Sequence, residues 1–233
     1  MNKQNFSKDI QEHKRINDIL LGPLERPALQ WLAKKMPGWV TPDLLTVVGF
    51  LGSLIALAGY GLSSYDPVFL WLASLGFMFN WFGDSLDGTL ARYRHIERPI
   101  YGFYIDHSMD IVTEALFFLG LGISPYVRFD VALLALIGYF MISNLVYIQT
   151  CVMGEFRISY AGLGPTEVRV LAIAANTAIF FAGNPQIKIF GISNTVFDWL
   201  VIAVMILLYT IFTASWIINA LKLRGADDKF NNL

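Results

Sequence analysis

Four aspartates, two glycines and three arginines fall within 27 residues of a chain that is otherwise mostly apolar. The stretch runs Asp84-Ser85-Leu86-Asp87-Gly88-Thr89-Leu90-Ala91-Arg92 and is completed by Gly102, Asp106 and Asp110. On a helix, Asp84 and Asp87 share a face, and Gly102, Asp106 and Asp110 follow one another at four-residue steps along another. If the two helices meet, four carboxylates converge. Two ionised carboxylates ~5 Å apart repel by about 3 kcal/mol at an effective dielectric near 20, so such a set needs cations. Oxygen ligands without His or Cys among them favour Mg²⁺, Mn²⁺ or Ca²⁺ over zinc.

The elements that must position these residues are legible from hydropathy. The chain has 233 residues, 55% of them hydrophobic, and a mean hydropathy of +0.53. That is too apolar for an ordinary soluble domain. Six segments of about the length a bilayer requires are expected at 43–63, 67–90, 103–124, 131–152, 166–184 and 195–221, bounded by Pro42, Pro67, Pro125, Pro165 and Asn184-Pro185. Ahead of them, Leu24 to Met36 mixes apolar positions and Trp31 with Glu25, Arg26, Lys34 and Lys35, the pattern of an amphipathic helix lying on the membrane surface. The expected fold is therefore an all-α integral membrane protein: a leader and interfacial helix over 1–41, a six-helix domain over 42–222 and a tail over 223–233. All lysines and arginines except Arg128 and Lys188 then fall on one side, counting Arg157 and Arg169 with the fourth connection. The positive-inside rule makes that side, with both termini and the Asp-rich stretch, cytoplasmic. The first twenty residues lack the apolar core of a cleavable signal. A single cysteine, Cys151, excludes a disulfide framework, and no basic tract suggests a nucleic-acid partner.

D-x-x-D-G-x-x-A-R followed by G-x-x-x-D-x-x-x-D resembles the signature of the CDP-alcohol phosphotransferases, membrane enzymes that move a phospho-group from a CDP-activated donor to an alcohol. Nine residues separate Arg92 from Gly102, one more than is usual in the family. The resemblance implies two divalent cations, Mg²⁺ or Mn²⁺, on Asp84, Asp87 and Asp106, with Asp110 a further ligand or a general base. It also implies CMP as leaving group and, as the family often forms them, homodimers. Two ions could clamp a diphosphate and stabilise both attacking and leaving oxygens. Gly88, Ala91 and Gly102 would leave room for the nucleotide, or serve close helix packing. Arg92 offers a planar fork for phosphate oxygens, or a positive-inside anchor. Thr41-Pro42-Asp43-Leu44-Leu45-Thr46 resembles the family's nucleotide-holding P-N-x-x-T, with Asp43 for Asn. An Asp accepts from a cytosine amino group but cannot donate, and Asp43 or Thr41 could equally cap the helix.

His107 after Asp106, and Gly164-Pro165-Thr166-Glu167-Val168, resemble the choline/ethanolamine phosphotransferase branch, where a His and a Glu are associated with deprotonating the hydroxyl of diacylglycerol. An imidazole with a pKa of about 6.5 suits that task. His107 could instead be a helix-surface residue, and Glu167 a partner of its helix dipole. The expected reaction is transfer of a phospho-alcohol from a CDP-choline- or CDP-ethanolamine-type donor to a lipid hydroxyl. The family's other branch, in which CDP-diacylglycerol donates to a water-soluble alcohol, is the alternative. A divalent-cation transporter using the same carboxylates is a rival of another class. Glu114, one turn beyond Asp110, is ionisable in an apolar segment and receives no role from the resemblance.

Overall fold

The structure, a computed structural model, describes residues 14–16, 20–157 and 164–230. Expectations for most of the leader, including His13, and for the last three residues lie outside them. The element order is β1 (Lys14–Ile16), α1 (Gly22–Lys35), α2 (Pro42–Leu62), α3 (Phe69–Arg94), α4 (Pro99–Ile123), α5 (Phe129–Met153), β2 (Glu155–Arg157), α6 (Pro165–Ala182), β3 (Gln186–Ile189), β4 (Ile192–Thr195) and α7 (Val196–Phe230). The protein is a predominantly helical membrane protein. Among the described residues, three helices are long and apolar enough to cross a membrane: α2, α5, and α7 over Val196–Gly225. The other three expected spans form helices too, but their polar residues bring them below that level: Asn80 and Asp84 in α3, Asp106, Asp110 and Glu114 in α4, Glu167 and Arg169 in α6.

The ends follow local chemistry. Thr41 caps α2 by accepting from the Leu44 amide at 3.2 Å, with Pro42 in the first turn where its missing N–H costs nothing. Helix α3 runs past the expected boundary through Arg92 and stops at His95, whose left-handed φ of 57° lets its amide reach back to the last turn. Helix α4 starts at Pro99, earlier than expected, so only a short turn separates the two Asp-bearing helices.

A seam of small residues holds α2 to α3. Gly49, Gly52, Ala56 and Gly59 alternate steps of three and four, and so do Ala73, Gly76, Asn80 and Gly83 opposite them. Backbone meets backbone there: a Cβ added at Gly52 would lie 2.7 Å from the Gly76 carbonyl oxygen. Small residues are how membrane helices approach this closely. Asn80 spans the seam by donating to the Gly49 carbonyl at 3.0 Å. Deeper in the bundle the Tyr60 hydroxyl donates to Asn176 Oδ1 at 3.0 Å, and Asn176 Nδ2 to Ser74 Oγ at 3.1 Å, joining α2, α6 and α3 through one buried network. Helix α4 also packs on α2, while the backbones of α3 and α4 stand apart and the gap between these two aspartate-bearing helices is bridged by side chains, as where the rings of Phe77 and Phe117 meet at 4.4 Å.

Helix α1 forms where the amphipathic pattern placed it. Its Leu29 and Ala33 are buried against Leu86 and Leu90 of α3, while Leu24 and Trp31 stay exposed. Glu25 Oε1 accepts from Trp81 Nε1 and from the Thr166 hydroxyl, each at 2.7 Å, stapling α1 to α3 and α6. Trp81 is thus a strut between α3 and α1. Two small sheets depart from the all-α expectation. β1 and β2 pair in parallel over three residues, and β3 and β4 form an antiparallel hairpin turning at Phe190-Gly191 with both φ positive, at 52° and 84°. That pair of angles matches the twist of a two-residue hairpin.

Candidate active site

On α3, one turn separates Asp84 from Asp87. Asp87 is buried against α2, where its Oδ2 accepts from the Thr46 hydroxyl at 2.6 Å. Asp84 Oδ2 accepts from Arg169 Nη2 of α6 at 2.5 Å, and the Arg169 side chain is only 8% exposed. On α4, Asp106 and Asp110 flank His107, whose Nδ1 stands 3.8 Å from an Oδ2 of each. The edge of Phe103 and the ring of Tyr147 enclose the imidazole at centroid distances of 4.1 and 5.6 Å.

The two helices' carboxylates interact across the gap. Asp87 lies within Coulombic reach of Asp84 and Asp106, and Asp110 within reach of Asp84 and Arg169. An all-oxygen acidic set facing one gap suits a hard divalent cation. Among the described residues, however, no group of three or more His, Cys, Asp or Glu stands close enough to be a ready-made metal site. Arg169 and Thr46 each hold one of the α3 carboxylates.

The other expected residues divide. Arg92 is exposed, donates to Thr89 Oγ1 at 3.2 Å and lies over Gly88, where an added Cβ would meet its Nη1 at 3.4 Å. Ala91 is half-buried on the same helix, and Gly102 faces open space with nothing within 4 Å of an added Cβ. Asp43 pairs with Arg98, which in turn stacks on Tyr101 at 4.3 Å, tying the start of α2 to the start of α4. Glu167 goes elsewhere. It is buried, its Oε1 accepts from the Leu21 amide at 2.7 Å and its Oε2 from the Gly164 amide at 2.9 Å. Both oxygens thus serve backbone donors at the start of α6 and of α1.

Two hydrogen-bond partners of the aspartates escaped the sequence reading. Arg169 was counted as a charge flanking a span, although an ionisable residue inside an apolar helix signals a function. Thr46 sits within a quoted motif without a role. Glu114, left unassigned, lies close to Tyr139 of α5 and within Coulombic reach of Asp110 and Arg169. Arg94 is structural: it donates to the carbonyls of Met36 at 3.1 Å, Pro37 at 2.8 Å and Val40 at 2.5 Å, fixing the connection before α2.

No protein-family model matches the chain. Individual proteins do. The archaetidylinositol phosphate synthase of Methanothermobacter thermautotrophicus is 31% identical over 143 residues, which cover 61% of this chain and 69% of that protein. The chain belongs to the CDP-alcohol phosphotransferase family. The archaetidylinositol phosphate synthase of Pyrococcus horikoshii is 28% identical over 62% of this chain and 69% of its own length. Cholinephosphotransferase 1 of Danio rerio is 27% identical over 76% of this chain, but the match spans only 48% of that longer protein. As a CDP-alcohol phosphotransferase, the protein is a membrane transferase of substituted phosphate groups in phospholipid synthesis. The relatives lend nothing to the transporter reading.

Proposed function

We propose that this CDP-alcohol phosphotransferase transfers a phospho-alcohol, of the choline or ethanolamine type, from its CDP ester to a lipid hydroxyl such as that of diacylglycerol, releasing CMP. The observation that carries this reading is the imidazole of His107 held 3.8 Å from both Asp106 and Asp110. In the transfer, the acceptor oxygen bonds to the phosphorus bearing the alcohol as that phosphorus loses its bridging oxygen to CMP. The hydroxyl proton passes to His107 Nδ1, which stands 3.8 Å from a carboxylate oxygen of Asp106 and of Asp110, or directly to Asp110. Asp84, Asp87, Asp106 and Asp110 are the residues that would hold two divalent cations, Mg²⁺ or Mn²⁺. Such ions would supply charge neutralisation at the diphosphate. Gly88, Ala91 and Gly102 leave space beside the backbone for the nucleotide, and Arg92 reaches phosphate oxygens from the rim. Asp43 offers an acceptor to a cytosine amino group, and its partner Arg98 brings the donors that an Asp lacks. Glu167, with both oxygens on backbone amides, is read as fixing α6 and α1 and so acts on the chemistry only through them.

The proposed setting has all six long helices spanning the bilayer, α1 at the interface through Leu24 and Trp31, and both termini and the site in the cytoplasm. The catalytic domain covers 42–222, between the 1–41 leader and the 223–233 tail, and a homodimer is the proposed assembly.

A second reading rests on a specific observation. A buried guanidinium, Arg169, stands at the aspartates, and the archaetidylinositol phosphate synthases match the chain over the larger share of their length. Both suit a CDP-diacylglycerol-type lipid donor and a water-soluble, anionic alcohol. Purified protein given labelled CDP-ethanolamine with diacylglycerol, and separately CDP-diacylglycerol with inositol phosphate, glycerol phosphate or serine, decides between them. Lipid product from the first set alone is expected. Product from the second set alone overturns the first reading in favour of the other.

A further inference from the structure

The Asp84–Arg169 pair is unusual for its place. A guanidinium is taken almost wholly out of water on α6, which is costly unless charges nearby compensate it. Its hydrogen-bond partner is Asp84, at 2.5 Å. Asp110 and Glu114 lie within its Coulombic reach as well. The pair joins α3 to α6 directly beside the gap between α3 and α4, and it occupies a carboxylate oxygen that a hard cation would need. An arginine cannot resolve that conflict by losing its proton.

We propose that Arg169 is a tethered cation that holds Asp84 until a divalent ion takes its place, so that metal uptake and release of the guanidinium are a single exchange. This rests on the reading of Asp84 as a metal ligand. Arg169 neutralises part of the acidic set, keeps Asp84 on the gap-facing side of α3 and sets a threshold that the ion must overcome. The released guanidinium remains beside the gap, where the negative charge brought in by the donor's diphosphate compensates it. Arg169 is in this account a positioning residue acting through Asp84.

The test is Mn²⁺ binding to the intact protein in detergent micelles, followed by electron paramagnetic resonance without nucleotide, in wild type, Arg169→Gln, Arg169→Lys and Asp106→Asn. Removing the internal competitor should tighten Mn²⁺ binding by roughly tenfold in Arg169→Gln, with Arg169→Lys between it and wild type, because close buried charge pairs couple by at least this much. Equal or weaker binding in a folded Arg169→Gln overturns the exchange. Should that variant fail to fold, labelling of wild type with phenylglyoxal decides, read at Arg169 by mass spectrometry. Labelling that rises with Mn²⁺ supports the exchange, and labelling that is unchanged or falls overturns it. Failure of the underlying reading looks different: wild type and Asp106→Asn would then bind Mn²⁺ equally, or neither would bind it.

Discussion

The Thr46 hydroxyl donates to Asp87 across the junction of α2 and α3, in a region where the carboxylate is nearly closed off from water. A buried acceptor that loses its donor costs about 1–3 kcal/mol. Thr46→Val, which keeps the shape and removes the hydroxyl, should lower thermal stability by that order. It should also raise the metal concentration needed for half-maximal transfer. The checks are a melting curve and a Mn²⁺ titration of the rate, and an unchanged titration would mean that Asp87 does not need this partner.

Asp87→Asn and Asp106→Asn should each abolish transfer while the protein still elutes as a folded species. The substitutions keep size and hydrogen-bonding shape but remove the charge that a cation requires. Near-wild-type turnover in either variant contradicts the assignment of these side chains to metals.

His107→Ala should cut kcat by about two to four orders of magnitude if the imidazole accepts the acceptor's proton. A reduction below tenfold assigns the proton to Asp110.

Gly76→Ala should be poorly tolerated, although alanine is the smallest change available. Its methyl would come within 2.6 Å of the Gly52 carbonyl oxygen and 2.7 Å of the Ala56 Cα. Overpacking of this kind costs typically about 1–3 kcal/mol, and here the obstructing atoms are main chain. A melting temperature equal to wild type would show that α2 and α3 can slide apart at no cost.

The helices that carry the aspartates were readable in the sequence because their information is local. Aspartates at steps of three and four on two apolar helices define their own faces, and the helices form over Phe69–Arg94 and Pro99–Ile123. The partners of those aspartates were not readable, because pairing across helices is set by packing: nothing in the spacing announces that Arg169 meets Asp84 or that Thr46 meets Asp87. Glu167 shows the opposite limit. Its place three residues after Gly164 marks a helix start as well as a resemblance to a catalytic motif, and its observed hydrogen bonds are those of the former. The hairpin Gln186–Thr195 went unseen because a connection of this length between two apolar helices reads as loop until its strands are paired.

The close backbone approach of α2 and α3 also sets how each half of the centre is mounted. Asp84 and Asp87 ride on a pair of helices locked together along several turns, with too little room between them to tilt. Asp106 and Asp110 ride on α4, whose opening turns, with Tyr101 and Tyr104, lie open to the surroundings. The two halves of the centre are thus mounted differently: one on a backbone seam, the other through side chains, Arg98 on Asp43 at the start of α4 and Phe117 against Phe77 further along it.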